Sequence, residues 1–185
     1  MDHTKLTRQD WLVFLFMLLL VPLAGEPKFH PFSGDFATFR VSFGSPVFLL
    51  FLLWLRQFPR LFTGCAAGIA VMLFRTGLDI FYGIPMPDAL VAHVPSFFYY
   101  FCYALFFALP QLSRNSIYEQ ALEIAFWAII AEVFASVGEL AAMNAISYQH
   151  KEAFTLGMLL RLFLIAVLRC FFILSFFFLF QLYNT

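Results

Sequence analysis

Charge is scarce in this sequence. Asp, Glu, Lys and Arg make up 12% of its residues, whereas soluble domains contain about 25%. The 11 basic residues are matched by 11 acidic ones, so the chain lacks the positive excess that marks proteins which bind nucleic acids. We therefore expect no nucleic acid among its partners.

Cysteine and catalytic motifs are also scarce. The three cysteines, Cys65, Cys102 and Cys170, lie in apolar runs without CxxC spacing, and we interpret them as small, reduced, packed residues. The sequence contains no HExxH, GxSxG, Walker lysine or kinase catalytic box. We predict no catalytic residue and no cofactor in this chain, and whether its parent protein is an enzyme stays open.

Apolar residues are what the chain has in excess. They make up 63% of it, with 28 phenylalanines and a mean hydropathy of +0.87. Long runs such as 13–21 and 171–180 contain no charged residue. Runs of this kind are typical of helices that cross a lipid bilayer. The composition therefore predicts an all-α membrane protein.

The apolar runs predict a six-helix transmembrane bundle that forms a single domain over residues 1–185. Its predicted spans are 11–24, 43–55, 61–83, 95–112, 118–146 and 154–182. A span needs about 20 residues, and the first two are shorter. Residues 39–44 are therefore expected to dip into the membrane ahead of helix two, as part of a structured outer loop. A cleaved signal peptide is the alternative for helix one, which the many later spans disfavour.

Basic residues in the connections predict the orientation, because cytoplasmic loops carry an excess of Lys and Arg. Five lie on the side of the N-terminus and three on the opposite side: Lys5, Arg8, Arg56, Arg60 and Arg114 against Lys28, Arg40 and Lys151. Both termini are thus predicted to be cytoplasmic, with outer loops at 25–42, 84–94 and 147–153. The sequence ends at FLFQLYNT without a basic tail, from which we expect a cytoplasmic domain to follow in the full-length protein.

Ionisable residues inside predicted spans are costly in lipid and are candidates for function. Arg75 and Asp79 stand four apart in FRTGLD, on one helix face. Further along the chain, such residues are Glu123, Glu132, Glu139, Arg161 and Arg169. One interpretation is a set of buried ion pairs that lock helices three, five and six together. The other is a ligand or switch site whose walls carry Arg75, Asp79, Glu132, Glu139 and Arg161.

Three other features each carry a prediction. Arg40 is the most exposed candidate for attracting an anion. The histidines His30, His93 and His150 map to the predicted outer face, which would allow a metal site, although solvated loop histidines are the simpler interpretation. The cluster SFFYYFCY at 96–103 is typical of an aromatic belt at the membrane interface.

Small residues in helix three predict close helix packing. TGCAAGIA contains glycines at positions 64 and 68, the spacing that lets two helices approach closely. We expect this packing to lie within the chain rather than between two copies.

One stretch resembles a known family. FRVSFGSPVFLLFLLWL is followed by the basic turn RQFPR and then by LFTGCAAGIAVMLFRTGLD. This order resembles the multi-helix membrane sensor modules of bacterial histidine kinases, such as the Lyt-type five-helix sensors and the glutamine-responsive kinases of Bacillus-like bacteria. The resemblance covers about residues 30–110. The phosphoacceptor histidine region and the ATP-binding boxes of those kinases are absent from this sequence.

The resemblance implies a part in two-component signal transduction. It places the chain in the bacterial inner membrane, where a small extracellular or membrane-borne ligand would bind and helix six would relay the change to a cytoplasmic kinase. Homodimerisation through that attached kinase is a further implication. The alternative is the substrate-binding membrane subunit of an energy-coupling-factor vitamin transporter. The A-x-x-x-A coupling motif of those subunits has no counterpart in WLVFLFMLLLVPLAG.

Overall fold

The computed structural model describes residues 6–29, 41–55, 57–108, 117–146, 162–172 and the single positions 157, 160 and 175. These parts of the chain form six helices and one short strand pair. The elements are α1 (Arg8–Gly25), β1 (Lys28–Phe29), β2 (Val41–Ser42), α2 (Gly44–Trp54), α3 (Arg60–Phe81), α4 (Met86–Ala108), α5 (Ile117–Ile146) and α6 (Leu162–Phe172).

Four of these helices are long and apolar enough to cross a membrane: α1, α3, α4 and the Glu123–Ile146 part of α5. Their outer faces are apolar, since side chains such as Leu19, Leu73 and Phe126 are exposed. This arrangement supports the predicted helical membrane protein. α2 has 11 residues, a length of about 16 Å, and is too short to span. The count of six spans therefore stays a prediction.

The start of α1 is fixed by a capping box. The Thr7 hydroxyl accepts a hydrogen bond from the Asp10 backbone N–H at 3.2 Å, and the Asp10 carboxylate accepts the Thr7 N–H at 2.7 Å. These contacts satisfy two N–H groups that a helix terminus otherwise leaves unpaired. The helix thus begins at Arg8, inside the polar flank that precedes the predicted span.

The start of α4 corrects the prediction for the fourth helix. α4 begins at Met86 rather than at residue 95, so most of the predicted outer loop 84–94 is helical. Pro87 in the first turn needs no hydrogen-bond donor there, and Pro95 is accommodated inside the helix. The turn before α4 is made by Gly83, whose φ of 90° favours glycine.

A small antiparallel strand pair was not predicted. Lys28 pairs with Ser42, and Phe29 pairs with Val41. The pair holds together the two ends of the segment 30–40, which lies outside the described residues. It thereby brings the chain that follows α1 next to the start of α2.

Among the described elements, α3 and α4 make the most extensive helix contact. A Cβ added to Gly64 would lie 2.3 Å from the Ala104 Cβ, and one added to Gly68 would lie 2.9 Å from the Phe97 carbonyl oxygen. Both glycines therefore face α4 within the same chain, as predicted for this small-residue pair. α4 packs in turn against α5, so that α4 is central among the described helices.

Candidate functional site

A cavity of about 260 Å³ opens between β2, α3, α4, α5 and α6. Its walls are formed by Ser42, Arg75, Ser96, Tyr99, Tyr100, Glu139 and Arg169. Pockets for drug-sized ligands measure about 300–1,000 Å³, so this one suits a smaller molecule. Of the seven described side chains that line it, five are polar or charged without an aromatic ring, which favours a polar ligand.

The cavity lies toward one end of the bundle. Arg75 is six residues before the end of α3, and Glu139 is seven residues before the end of α5. At 1.5 Å per residue these positions are about 9 and 10 Å from the helix ends. α1 ends and α2 begins at the same place, because the Gly25 carbonyl oxygen accepts a hydrogen bond from Arg75 and a Cβ on Gly44 would lie 3.2 Å from the Gly25 Cα.

Arg75 joins three elements at the cavity wall. Its Nε donates to Glu26 Oε1 at 3.0 Å, its Nη1 to the Ser96 hydroxyl at 2.9 Å, and its Nη2 to the Gly25 carbonyl oxygen at 3.4 Å. The planar guanidinium can make these three bonds at once. Arg75 therefore connects α3 to the end of α1 and to α4.

Asp79 does not pair with Arg75, although both lie on one face of α3. Asp79 Oδ2 is 2.8 Å from His93 Nε2 on α4. In this structure Glu26 and Ser96 accept hydrogen bonds from the Arg75 guanidinium, and a histidine of the neighbouring helix pairs with Asp79. The part of Arg75 and Asp79 in a ligand or switch site stays a prediction. The i, i+4 spacing correctly predicted that both residues lie on one face of α3. It did not show which side chains they pair with.

A double-mutant cycle would separate these two arrangements. We expect Arg75→Gln and Glu26→Gln to show a coupling of about 1–2 kcal/mol in the free energy of unfolding, because they share a hydrogen-bonded ion pair. Arg75→Gln with Asp79→Asn should be additive to within about 0.5 kcal/mol. The free energies can be measured by chemical unfolding of the purified protein in mixed micelles. A larger coupling to Asp79 than to Glu26 would contradict the observed pairing.

The Glu132 carboxylate joins four helices. Its Oε1 accepts hydrogen bonds from the Tyr99 hydroxyl at 2.5 Å and from the Ser45 hydroxyl at 3.2 Å. Arg169 Nη1 also donates to this oxygen and lies 3.1 Å from the Tyr99 hydroxyl. Glu132 is buried, at 3% exposure, so the ion pair and its hydrogen bonds replace the hydration that a buried charge loses. The residues come from α2, α4, α5 and α6.

Glu139 lies on the same cavity but has no such partners. It is two helical turns from Glu132 on α5, and it lines the cavity with Arg75. Among the described residues, no hydrogen bond or ion pair to its carboxylate is present. In the described part of the chain, Glu139 therefore contributes its carboxyl group to the cavity wall, where it interacts electrostatically with Arg75.

The structure brings together three of the predicted site residues, Arg75, Glu132 and Glu139. Asp79 lies one turn away on α3. Arg40 and Arg161 fall outside the described residues, so their part in the site stays a prediction. The seven-residue spacing of the two glutamates correctly indicated a shared face of α5.

Several residues of the site were not predicted from the sequence. Glu26 was assigned to an outer loop, and Ser45, Ser96 and Tyr99 carry no motif. The predicted aromatic belt was wrong for Tyr99 and Tyr100, which are 7% and 5% exposed and line the cavity. Arg169 was recognised as an intramembrane charge but was not included in the predicted site.

The predicted histidine metal site is not tested. His93 lies beside Asp79, whereas His30 and His150 are outside the described residues. In the parts of the chain that are described, no three His, Cys, Asp or Glu side chains are grouped as metal ligands.

The apolar helices and the buried polar cluster define a helical membrane protein with a small polar cavity. No protein-family model matches the chain, and no solved structure matches it significantly. The chain is similar to the sensor histidine kinase GlnK of Bacillus subtilis (strain 168), with 34% identity over 171 residues. The match covers 91% of this chain and 40% of that kinase, so the chain spans less than half the length of its relative.

This similarity relates the chain to the sensor histidine kinases, as its sequence pattern indicated. It does not extend to the Lyt-type sensors in particular. The comparisons give no support to the interpretation as a vitamin-transporter subunit.

Proposed function

We propose that this chain is the membrane-embedded sensing module of a bacterial two-component sensor histidine kinase. In this proposal it crosses the inner membrane six times, has both termini in the cytoplasm, and relays ligand binding through α6 to a cytoplasmic kinase. The observation that carries the proposal is the double role of Arg169. This side chain lines the cavity and also pairs with the buried Glu132.

Arg169 is positioned to couple ligand binding in the cavity to the position of α6. A ligand in the cavity touches the same guanidinium that holds α6 against α4 and α5. If the ligand binds better to one arrangement of this contact than to another, it shifts α6 between the two. A shift from 1:99 to 99:1 requires an affinity difference of about 10⁴-fold between the states, and a buried charged group is able to contribute a large part of it.

The proposed orientation puts the cavity within reach of the outer face. α1, α3 and α5 end near the cavity, and in the predicted topology these ends are extracellular. A small extracellular molecule would then enter the bundle from outside, whereas a membrane-borne one would enter between helices. Arg40 precedes β2 in the sequence, and we retain it as a candidate for attracting the ligand.

The start of α2 supports the proposed dip of residues 39–44 into the membrane. Ser45 is the second residue of α2, and it donates to Glu132 near the midpoint of the 30-residue α5. The start of α2 therefore lies inside the bundle, below the ends of α3 and α5. A chain that starts a helix at this depth has already entered the bundle before residue 44.

Kinase assays on the full-length protein test this function. We expect the natural coding sequence to continue past Thr185 into a kinase, whose autophosphorylation in lipid nanodiscs depends on the buried pair. Arg169→Gln should change the basal rate of autophosphorylation several-fold, since it removes the charge that holds α6. Glu123→Gln, on α5 away from the cavity, is the matched control. A stop codon after Thr185, or equal rates for Arg169→Gln and the natural protein, would refute the proposal.

A further inference from the structure

Tyr99 on α4 contacts both the cavity and the buried ion pair of Glu132 and Arg169. It forms part of the cavity wall. Its hydroxyl donates to Glu132 Oε1 at 2.5 Å and accepts from Arg169 Nη1 at 3.1 Å. Arg169 Nη1 also donates to the same glutamate oxygen, so the three groups form a closed triangle. A tyrosine hydroxyl is able to donate and accept at once, which lets this one group bind both charges.

The position of this hydroxyl is set by an aromatic ring that lies in the core. Tyr99 is buried, and its ring packs edge-on against the Tyr100 ring, with the centroids 5.2 Å apart. The Tyr103 ring lies on its other neighbour position along α4, at 6.3 Å. Hydrogen bonds are lost beyond about 3.5 Å, so a displacement of the ring by about 1 Å is enough to break the bond to Glu132. A ligand that presses on the cavity wall is placed to cause such a displacement.

The hydroxyl also connects a central helix to two others. α4 packs against α3 and α5, and Glu132 and Arg169 lie on α5 and α6. Ser45 of α2 donates to the same glutamate oxygen at 3.2 Å. Hydrogen bonds to charged groups are stronger than those between neutral ones, so the loss of the Tyr99 hydroxyl weakens the attachment of α6 to α4 and α5.

From these contacts we infer that Tyr99 is a positioning residue of the sensing module. Its hydroxyl holds Glu132 and Arg169 in one arrangement, and displacement of its ring releases α6 from that arrangement. The inference rests on the proposed sensing function, because it names the residue through which a change in the cavity reaches α6.

Cys170 is a native reporter of the position of α6. It follows Arg169 in the sequence, is a free cysteine and is 4% exposed. Its thiol donates to the Ala125 carbonyl oxygen of α5 at 3.8 Å. A buried thiol reacts only when a reagent reaches it, so alkylation by N-ethylmaleimide requires α6 to separate from α5. The free Cys65 on α3 is the internal reference.

Tyr99→Phe tests the inference, because it keeps the ring and removes the hydroxyl. The rates of alkylation at Cys170 and Cys65 are measured by peptide mass spectrometry on the full-length protein in lipid nanodiscs. We expect Cys170 to react about tenfold faster than in the natural protein, as the loss of one hydrogen bond to a charged group allows. The rate at Cys65 should stay the same. An unchanged rate at Cys170 would overturn the inference.

Tyr103→Phe is the matched control. It removes a buried hydroxyl one turn further along α4, outside the described lining of the cavity. We expect both cysteines to react as in the natural protein. An equal increase at Cys170 in this variant would show that any buried hydroxyl of α4 has the same effect, and it would contradict a positioning role for Tyr99.

A double variant separates positioning from a general loss of stability. Arg169→Gln alone should also expose Cys170, because it removes the charge that holds α6. In that background Tyr99→Phe should change the rate at Cys170 by less than about twofold, since residues that act through a shared partner are not additive. Full multiplication of the two effects would mean that the hydroxyl acts independently of the ion pair, which would refute the inference.

Autophosphorylation of the same variants keeps this result separate from the proposed function. If Tyr99→Phe exposes Cys170 and leaves the rate of autophosphorylation unchanged, the positioning role stands while the relay through α6 fails. If the rate of autophosphorylation changes without any change at Cys170, the sensing function stands while the positioning role fails. A change in both measurements supports both.

Discussion

Glu132→Gln is expected to lower the free energy of unfolding by about 3–5 kcal/mol. The amide oxygen of Gln still accepts from the Tyr99 and Ser45 hydroxyls, so the variant removes mainly the negative charge. Arg169 then remains inside the bundle without its ion-pair partner. An uncompensated buried charge of this kind is the costly outcome when half of a buried ion pair is removed. The measurement is reversible unfolding in mixed micelles.

A double variant shows whether the charge itself causes the loss. We expect Glu132→Gln combined with Arg169→Gln to be more stable than the sum of the single losses predicts, by about 2 kcal/mol or more, because neither charge is left alone. Glu123→Gln makes the same change on the same helix outside the cluster and should alter stability by less than about 0.5 kcal/mol. Strictly additive losses would contradict the ion pair as the cause.

The membrane class and much of the helix order could be predicted from the sequence, because lipid imposes long apolar helices on any spanning chain. The start of α4 could not, since Pro87 and Pro95 are compatible with either a loop or a helix. The strand pair of two residues per strand was also beyond prediction. Its pattern is too short to show a period of two.

The site was partly predictable for a similar physical reason. Charges inside apolar helices are rare, so Arg75, Glu132 and Glu139 were evident from sequence alone. Their partners depend on which helices meet, and that is decided by packing. Glu26 reaches Arg75 because α1 ends beside α3, a contact between residues that are 49 positions apart in the sequence. Tyr99 is hidden among the aromatic residues of α4, where composition favours an interfacial position.

The contact between α3 and α4 could be predicted from its small residues alone. Substitution of one of them is the second change for which we expect a large loss of stability. Gly64→Ala is expected to lower the free energy of unfolding by about 3 kcal/mol, at the upper end of the usual cost of overpacking. The new methyl group would lie 2.3 Å from the Ala104 Cβ and 2.9 Å from the Tyr100 carbonyl oxygen. The carbonyl is backbone, so it cannot turn aside as a flexible side chain would. α3 and α4 must move apart, which loosens the helix that carries Tyr99 and Tyr100.

Gly77→Ala is the matched control, because it makes the same substitution on the same helix. A Cβ at Gly77 meets no atom within 4 Å, and alanine favours a helix over glycine by up to about 1 kcal/mol. We therefore expect Gly77→Ala to be neutral or mildly stabilising in the same unfolding assay. Equal losses in the two variants would indicate that glycine matters for backbone flexibility in α3 rather than for contact with α4. If Gly64→Ala instead changed only the oligomeric state, measured by light scattering, the glycines would face a second copy and the packing described for α3 and α4 would be wrong.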